Sequence, residues 1–273
     1  MKIVHRLPAA PLRSVIDRYW SWEGADALRL LPLMPSPGGL EIFFHYGRPF
    51  AARNDCGMDT LPQAHLSCVR TQPVELFQHG GLGFIAVRIK AGAGTQLTGM
   101  PVTLFADSFI AATDVWGEAA NDLLEQIAQA SSMDERVALL DSFFLAQRQR
   151  PRRGAAIDLA VGTLLQQPSR VADIARDVGL GARQLEKRFR AATGLTPARF
   201  RRLARLRRSI RSLLLAPPQT TLPQATLTTL IDTAYYDQAQ QVREFRELTG
   251  FTPGELRRVA PDYSHFYNPP WPK

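Results

Sequence analysis

The chain has 273 residues, of which 45% are hydrophobic and 21% charged, a composition typical of a globular protein large enough for two domains. No apolar run approaches the roughly 18 residues of a membrane span, and a count of two cysteines, Cys56 and Cys68, excludes a disulfide-rich scaffold. The net charge of +8 is unevenly divided: residues 1–150 hold 13 Lys/Arg against 15 Asp/Glu, and residues 151–273 hold 20 against 10. The basic half predicts a polyanion partner, with a basic surface kept for solubility as the alternative.

Short apolar segments broken by Pro and Gly fill the first hundred residues. Four of them are rich in aromatic or β-branched residues and predict strands at 17–22, 40–44, 64–69 and 84–90. In the last of these, Ile85, Val87 and Ile89 point one way, while Arg88 and Lys90 point the other. We expect an antiparallel sheet or a small, cupin-like β-barrel.

Two amphipathic helices follow, at 114–130 and 133–149. Their apolar faces favour packing on the sheet or barrel, and a homodimer seam is the alternative. The polar, basic stretch 149–154 contains a helix-breaking proline and predicts a domain boundary. We therefore expect a regulatory domain at 1–150, a helical domain at 151–258 and an aromatic tail at 259–273.

Catalytic and cofactor signals are missing from the first half. His45, His65 and His79 are scattered and are interpreted as surface or satisfied core residues rather than metal ligands. No nucleophile elbow, P-loop or dinucleotide fingerprint is present, so we expect neither an enzyme nor a cofactor or metal site. The aromatic residues of this half are interpreted as core, with a small-molecule pocket as the alternative.

The basic half begins with three predicted helices. Helices at 155–167 and 171–178 are amphipathic, and Gly179 breaks the second, as in the turn of a helix-turn-helix. In the third, 182–192, Leu185 and Phe189 share the core side. The opposite face is charged and carries Arg183, Glu186, Lys187 and Arg190. This division is typical of a recognition helix, whose outer residues reach base edges.

A long basic helix is predicted at 198–215, with an apolar stripe on one side and arginines, including Arg202, on the other. It predicts a spacer whose arginines contact phosphate, although a membrane-surface helix has a similar pattern. A second module follows. It has a Thr-rich helix at 227–233 and a helix at 238–248, which Asp237 caps with Gln240 at the third helical position. Gln241 occupies a position of that helix where an apolar residue is expected.

The two modules are duplicates, because both helices end in F-R-x-x-T-G-[L/F]-T-P, at 189–197 and 245–253. The chain resembles the AraC/XylS family of bacterial transcription regulators in these two segments, in Ile174-Ala175-x-x-x-Gly179 and in residues 183–189. The resemblance implies an all-α domain of two helix-turn-helix units joined by a long helix, and hence an α+β fold for the whole chain. It covers about 155–258, while the first half resembles an uncharacterised domain that often precedes such regions.

The resemblance also implies which positions read bases, and most of them are the outward positions of the helical pattern. These positions are Arg183, Glu186, Lys187, Gln238, Ala239, Gln240 and Arg243, and the helical pattern adds Arg190 and Arg202 to the predicted DNA-binding residues. They predict a cytoplasmic, sequence-specific regulator that inserts two recognition helices into successive major grooves of double-stranded DNA. Further candidate partners are RNA polymerase, a small-molecule effector in the first domain and a second copy of the chain, which would form a homodimer through 114–149. We expect no membrane partner. The alternatives are a non-specific architectural DNA binder and a DNA-alkylation repair enzyme fused to this region.

Overall fold

The computed structural model describes residues 2–24, 33–35, 37, 39–54, 57–67, 69–78, 80–148, 154–215 and 237–259. Within these ranges the chain is α+β: two antiparallel β-sheets and four helices come first, and helices alone follow. No helix in these ranges is long and apolar enough to cross a membrane.

Among the described residues, the larger sheet has six antiparallel strands. In spatial order its strands are β1 (Lys2–Arg6), β2 (Ile16–Gly24), β8 (Leu82–Ile89), β3 (Glu41–His45), β6 (Ala64–Ser67) and β9 (Phe109–Ala111), with β1 and β9 at its edges. The smaller sheet contains β5 (Gly57–Thr60), β4 (Ala51–Asn54) and β7 (Leu76–Phe77), in that order. All four predicted strands are confirmed, and the sheet rather than the barrel is the correct alternative, because the described strands do not close on themselves.

Both faces of the larger sheet are buried. The sequence predicts instead that the face of β8 with Arg88 and Lys90 is polar. Ile85, Val87 and Ile89 belong to the core beneath the helices, as predicted. Phe84 and Ala86 point to the opposite side, where they join a second apolar cluster between the two sheets. The polar face is therefore confined to the end of β8, where Arg88 pairs with Glu41 at 2.9 Å.

The second cluster is aromatic and includes two buried histidines. Its main members are Trp20, Trp22, Phe43, Phe50 and Phe84. Among them the rings of His45 and His65 stack with their centroids 5.4 Å apart, and each side chain is 1% exposed. His65 Nδ1 lies 2.8 Å from the Pro62 carbonyl. Neither ring nitrogen of His45 has a hydrogen-bond partner among the described residues.

This arrangement corrects the interpretation of the histidines as scattered, and of His45 as satisfied, whereas His65 is a core histidine with a hydrogen-bond partner, as interpreted. Strand register brings them together, because Phe43 lies opposite His65 and His45 follows two residues later on the same face of β3. His79 lies outside the described residues. In the ranges that the structure describes, no three His, Cys, Asp or Glu side chains are grouped so that they could hold a metal ion.

The described part of the first half also contains four α-helices: α1 (Thr95–Thr98), α2 (Thr113–Trp116), α3 (Glu118–Gln129) and α4 (Met133–Gln147). The predicted apolar faces of α3 and α4 pack into the core, where Leu123, Ile127, Leu140 and Phe144 are each at most 4% exposed. These side chains are thus used within the fold, and dimerisation through this pair of helices stays a prediction.

Arg136 fixes α4 to its neighbours. Its guanidinium ion lies 3.8 Å from the ring centroid of Tyr46 and pairs with Glu23 at 3.1 Å. It also donates to the carbonyls of Ile127 and Ala130, at the C-terminal end of α3. One side chain therefore joins both long helices to the sheet.

The helical half contains α5 (Ala155–Gln166), α6 (Val171–Asp177), α7 (Ala182–Thr193), α8 (Pro197–Leu215), α9 (Gln238–Thr249) and α10 (Pro253–Val259). The bounds of α5 to α9 agree with the predicted helices to within one residue. The predicted helix 227–233, the tail beyond 259 and the boundary residues 149–153 lie outside the described residues.

The two halves share one continuous apolar core, which includes Val102 and Phe105 from the first and Ala192 and Leu195 from the second. The 3-10 turn Val102–Phe105 lies against the C-terminal end of α7. A Cβ atom on Gly194 would approach the backbone nitrogen of Thr103 to 3.8 Å. The first helix-turn-helix is thus in direct contact with the sheet domain.

Candidate nucleic-acid interface

α7 divides its residues between a buried and an exposed side. Leu185 and Phe189 are 1% and 0% exposed, and the Phe189 ring packs edge-on against Phe200 of α8 with centroids 5.0 Å apart. The predicted outer residues, Arg183, Glu186, Lys187 and Arg190, are all exposed, and none of them pairs with another described side chain. A row of charged side chains is therefore presented to solvent from a helix that is fixed from behind.

The turn before α7 has the geometry of a helix-turn-helix. Gly179 follows α6 with φ of +65°, a backbone conformation that favours glycine. The Leu180 amide donates to the carbonyl of Ala175 at 2.9 Å, which closes the end of α6. Gly181 then adopts an extended conformation as the N-cap of α7.

The duplicated Thr-Gly pair forms the C-terminal cap of a helix in each module. Thr193 Oγ1 donates to the Phe189 carbonyl at 2.9 Å and accepts from the Leu195 amide at 3.3 Å, and Gly194 follows with φ of +80°. The second copy has the corresponding bonds at Thr249, Phe245 and Phe251, and the same left-handed conformation at Gly250. The repeat in the sequence therefore corresponds to a repeat in structure.

α9 presents the second set of predicted residues. Gln238, Ala239 and Arg243 are exposed, and Gln240 is half-buried. On the inner side Phe245 is 0% exposed. Gln241 is also 0% exposed, and neither of its amide atoms has a hydrogen-bond partner among the described residues. This confirms that a polar side chain occupies a core position of the second module.

The predicted cap of α9 is confirmed, because the Asp237 carboxylate accepts a hydrogen bond from the backbone amide of Gln240 at 2.6 Å.

Replacing Asp237 with alanine should destabilise the start of α9 by about 1 kcal/mol, since the backbone amide of Gln240 loses its acceptor. Hydrogen exchange of the first-turn amides of α9 measures the effect, and the amides of α7, which has a glycine cap, are the internal control. Unchanged protection in α9 would contradict it.

α8 has 19 residues and therefore spans about 28 Å. Its predicted apolar stripe is buried, with Phe200, Leu203, Leu206, Ile210 and Leu213 at most 2% exposed. Its arginines are engaged differently from the prediction that they all face phosphate. Arg208 Nη1 donates to the carbonyls of Leu164 and Leu165 at the end of α5.

Arg202 and Arg205 turn towards α9. Arg202 Nη2 lies 2.5 Å from Glu247 Oε2, and Arg205 binds Glu244 through two nitrogens, at 3.2 and 2.5 Å. Arg202, predicted to contact DNA, is thus engaged by a carboxylate in this structure. Arg199 and Arg211 are exposed on the same helix and remain available to phosphate.

Glu244 and Glu247 are not among the residues predicted to have a role. A signal was available in the duplication: at an offset of 56 residues, these positions correspond to Arg188 and Ala191 of the first copy. As a result α7 carries four cationic side chains against one acidic, and α9 carries two against two. The two recognition helices therefore differ in charge although they share a fold.

Two families match the chain. Residues 160–259 match the family described as helix-turn-helix domain, and residues 4–111 match a domain of unknown function, DUF6597. No curated protein matches the chain.

Several solved structures are similar to the chain at low identity. ToxT from Vibrio cholerae is 11% identical with a TM-score of 0.48, over 95% of this chain and 99% of that one. A ToxT structure with a bound unsaturated fatty acid is 12% identical with a TM-score of 0.47, over 93% and 94% of the two chains. The AraC-like transcriptional activator CuxR is 13% identical with a TM-score of 0.27, over 75% and 85%.

Proposed function

We propose that the chain is an AraC-type, DNA-binding transcription regulator, which the match of residues 160–259 to a helix-turn-helix family supports. In this proposal it recognises a specific DNA sequence with α7 as its principal reading helix. The observation that carries the proposal is the exposed outer face of α7, which holds Arg183, Glu186 and Lys187 without partners among the described side chains. Arginine and lysine donate to guanine O6 and N7, and glutamate accepts from cytosine N4.

The second helix, α9, reads DNA less strongly in this proposal. Its charges cancel, and Arg246 and Glu247 are each engaged in an ion pair. Arg243, Gln238 and Ala239 remain exposed for contacts with bases or phosphates. Since α8 spans about 28 Å and a duplex turn about 34 Å, the two helices are suited to successive major grooves on one side of the DNA.

The first half has a regulatory role in this proposal. The turn Val102–Phe105 touches the end of α7, so a rearrangement of the sheet domain would act directly on the reading helix. A small-molecule effector, a homodimer and contact with RNA polymerase in the bacterial cytoplasm are compatible extensions. Cys56 and Cys68, which the repair-enzyme alternative would need, lie outside the described residues.

The test is the selection of bound sites from a random pool of DNA duplexes. Replacing Arg183 with alanine should relax the preference at one base pair by about 1–3 kcal/mol, because a bidentate contact to a base is lost. Arg188→Ala is the matched control, since it removes the same charge from an exposed position on the flank of α7. It should leave the selected sequence unchanged.

Two outcomes would contradict the proposal. If Arg183→Ala selects the same sequences as the unaltered protein, α7 does not read bases through this residue. If the unaltered protein itself selects no common sequence, it is a non-specific architectural binder.

A further inference from the structure

The contact between α8 and α9 centres on one buried carboxylate. The Glu244 side chain is 8% exposed, and Arg205, which binds it through a planar two-nitrogen fork, is 20% exposed. Arg202 Nε adds a longer contact to the same carboxylate at 3.4 Å. Its Nη2 atom reaches the exposed Glu247 at 2.5 Å. Two arginines of α8 thus hold two glutamates of α9.

The geometry of this contact restrains α9 more than apolar packing alone would. The apolar side chains of α9 that face inward, Phe245 and Leu248, restrain its rotation less sharply, since the hydrophobic effect is non-directional. A fork of two parallel N–H donors on a carboxylate holds both partners in one orientation. Separating Arg205 from Glu244 would remove the two-nitrogen contact that offsets the cost of burying this carboxylate.

The duplication shows that this carboxylate is not needed for the module to fold. At the position equivalent to Glu244, the first copy has Arg188, which is exposed, and it still forms α7 with a buried Leu185 and Phe189. The acidic residues occur only in the copy that faces Arg202 and Arg205. They therefore serve the docking of α9 on α8 rather than the internal core of a module.

We propose that Glu244 is a positioning residue, which Arg205 and Arg202 hold so that α9 meets DNA at one separation and one rotation from α7. This inference rests on the proposed function, since it concerns how the two reading helices share one site. In this inference Arg202 and Arg205 position α9 rather than bind phosphate. The affinity of the protein for DNA should therefore depend on the distance between the two half-sites.

The experiment compares the full chain with the Glu244→Gln variant on selected sites and on the same sites with one base pair inserted between the half-sites. The insertion turns the second half-site by about 34° and moves it by about 3.4 Å. We expect it to weaken binding of the unaltered protein about tenfold, and that of Glu244→Gln about threefold or less. Affinity for DNA that holds only the first half-site should be the same for both.

Three controls separate positioning from unfolding. Glu247→Gln loses only an exposed contact and should keep the tenfold ratio. The double variant Glu244→Gln/Arg205→Gln should lose no more than Glu244→Gln, because both variants break the same contact between Arg205 and Glu244. Arg205→Lys keeps the charge without the fork and replaces Glu244→Gln if that variant does not fold.

The possible results distinguish this inference from the proposed function. A folded Glu244→Gln variant that keeps the tenfold ratio overturns the positioning role alone, and the function stands. If the unaltered protein selects sites but is indifferent to the insertion, the positioning role is again overturned. If it selects no site, both proposals fall.

Discussion

Replacing Phe189 with alanine is expected to destabilise the first helix-turn-helix module strongly and to weaken DNA binding. The Phe189 side chain is 0% exposed and packs edge-on against Phe200, so its loss leaves a cavity between α7 and α8. Such substitutions cost about 3–5 kcal/mol, against about 5–15 kcal/mol for the stability of an entire domain. Denaturant unfolding followed by far-ultraviolet circular dichroism measures the loss.

Leu159 provides the control for this prediction. It lies on α5 of the same half and is 57% exposed, so Leu159→Ala should change the free energy of unfolding by no more than about 0.5 kcal/mol. A cost below about 1 kcal/mol for Phe189→Ala would show that the contact between the two rings contributes little to the module.

Acid is expected to destabilise the sheet domain through its buried histidines. Burial lowers the pKa of His65 to about 4, and Arg70 acts in the same direction. Burial also lowers the pKa of His45, as does the neighbouring His65. Between pH 6.5 and about 4 the unfolded chain binds a proton at position 65 that the folded chain does not, so stability falls as the pH falls. For His65 the loss is about 3 kcal/mol over this interval.

Measuring the free energy of unfolding at several pH values tests this expectation. His65→Phe should make the profile less steep between pH 6.5 and 4, because one of the two buried groups that take up a proton in the unfolded state is gone and His45 remains. His5→Phe is a control in which the histidine is only partly buried, and it should leave most of the slope in place. A His65→Phe profile as steep as that of the unaltered protein would assign the acid sensitivity elsewhere.

The helical half could be predicted closely from the sequence because its signals are local. Apolar spacing, the Asp237 cap and the glycines at 194 and 250 act within a few residues, and the helices begin and end where these signals place them. The exposed side of α7 followed from the same periodicity.

Features that depend on distant partners could not be predicted in this way. Phe84 and Ala86 are buried because a second sheet covers that face, and the periodicity of β8 does not show the covering sheet. His45 and His65 lie 20 positions apart and meet only through the pairing of β3 with β6. The sequence of α8 alone suggests that Arg202 and Arg205 contact phosphate. Only the position of α9 shows that Glu247 and Glu244 bind them.

The seam between the turn Val102–Phe105 and the end of α7 has a practical consequence. Because buried side chains from both halves form one cluster there, a fragment that begins near residue 154 would expose an apolar surface beside α7. Such a fragment would self-associate through this surface. Its affinity for DNA would therefore differ from that of the full chain.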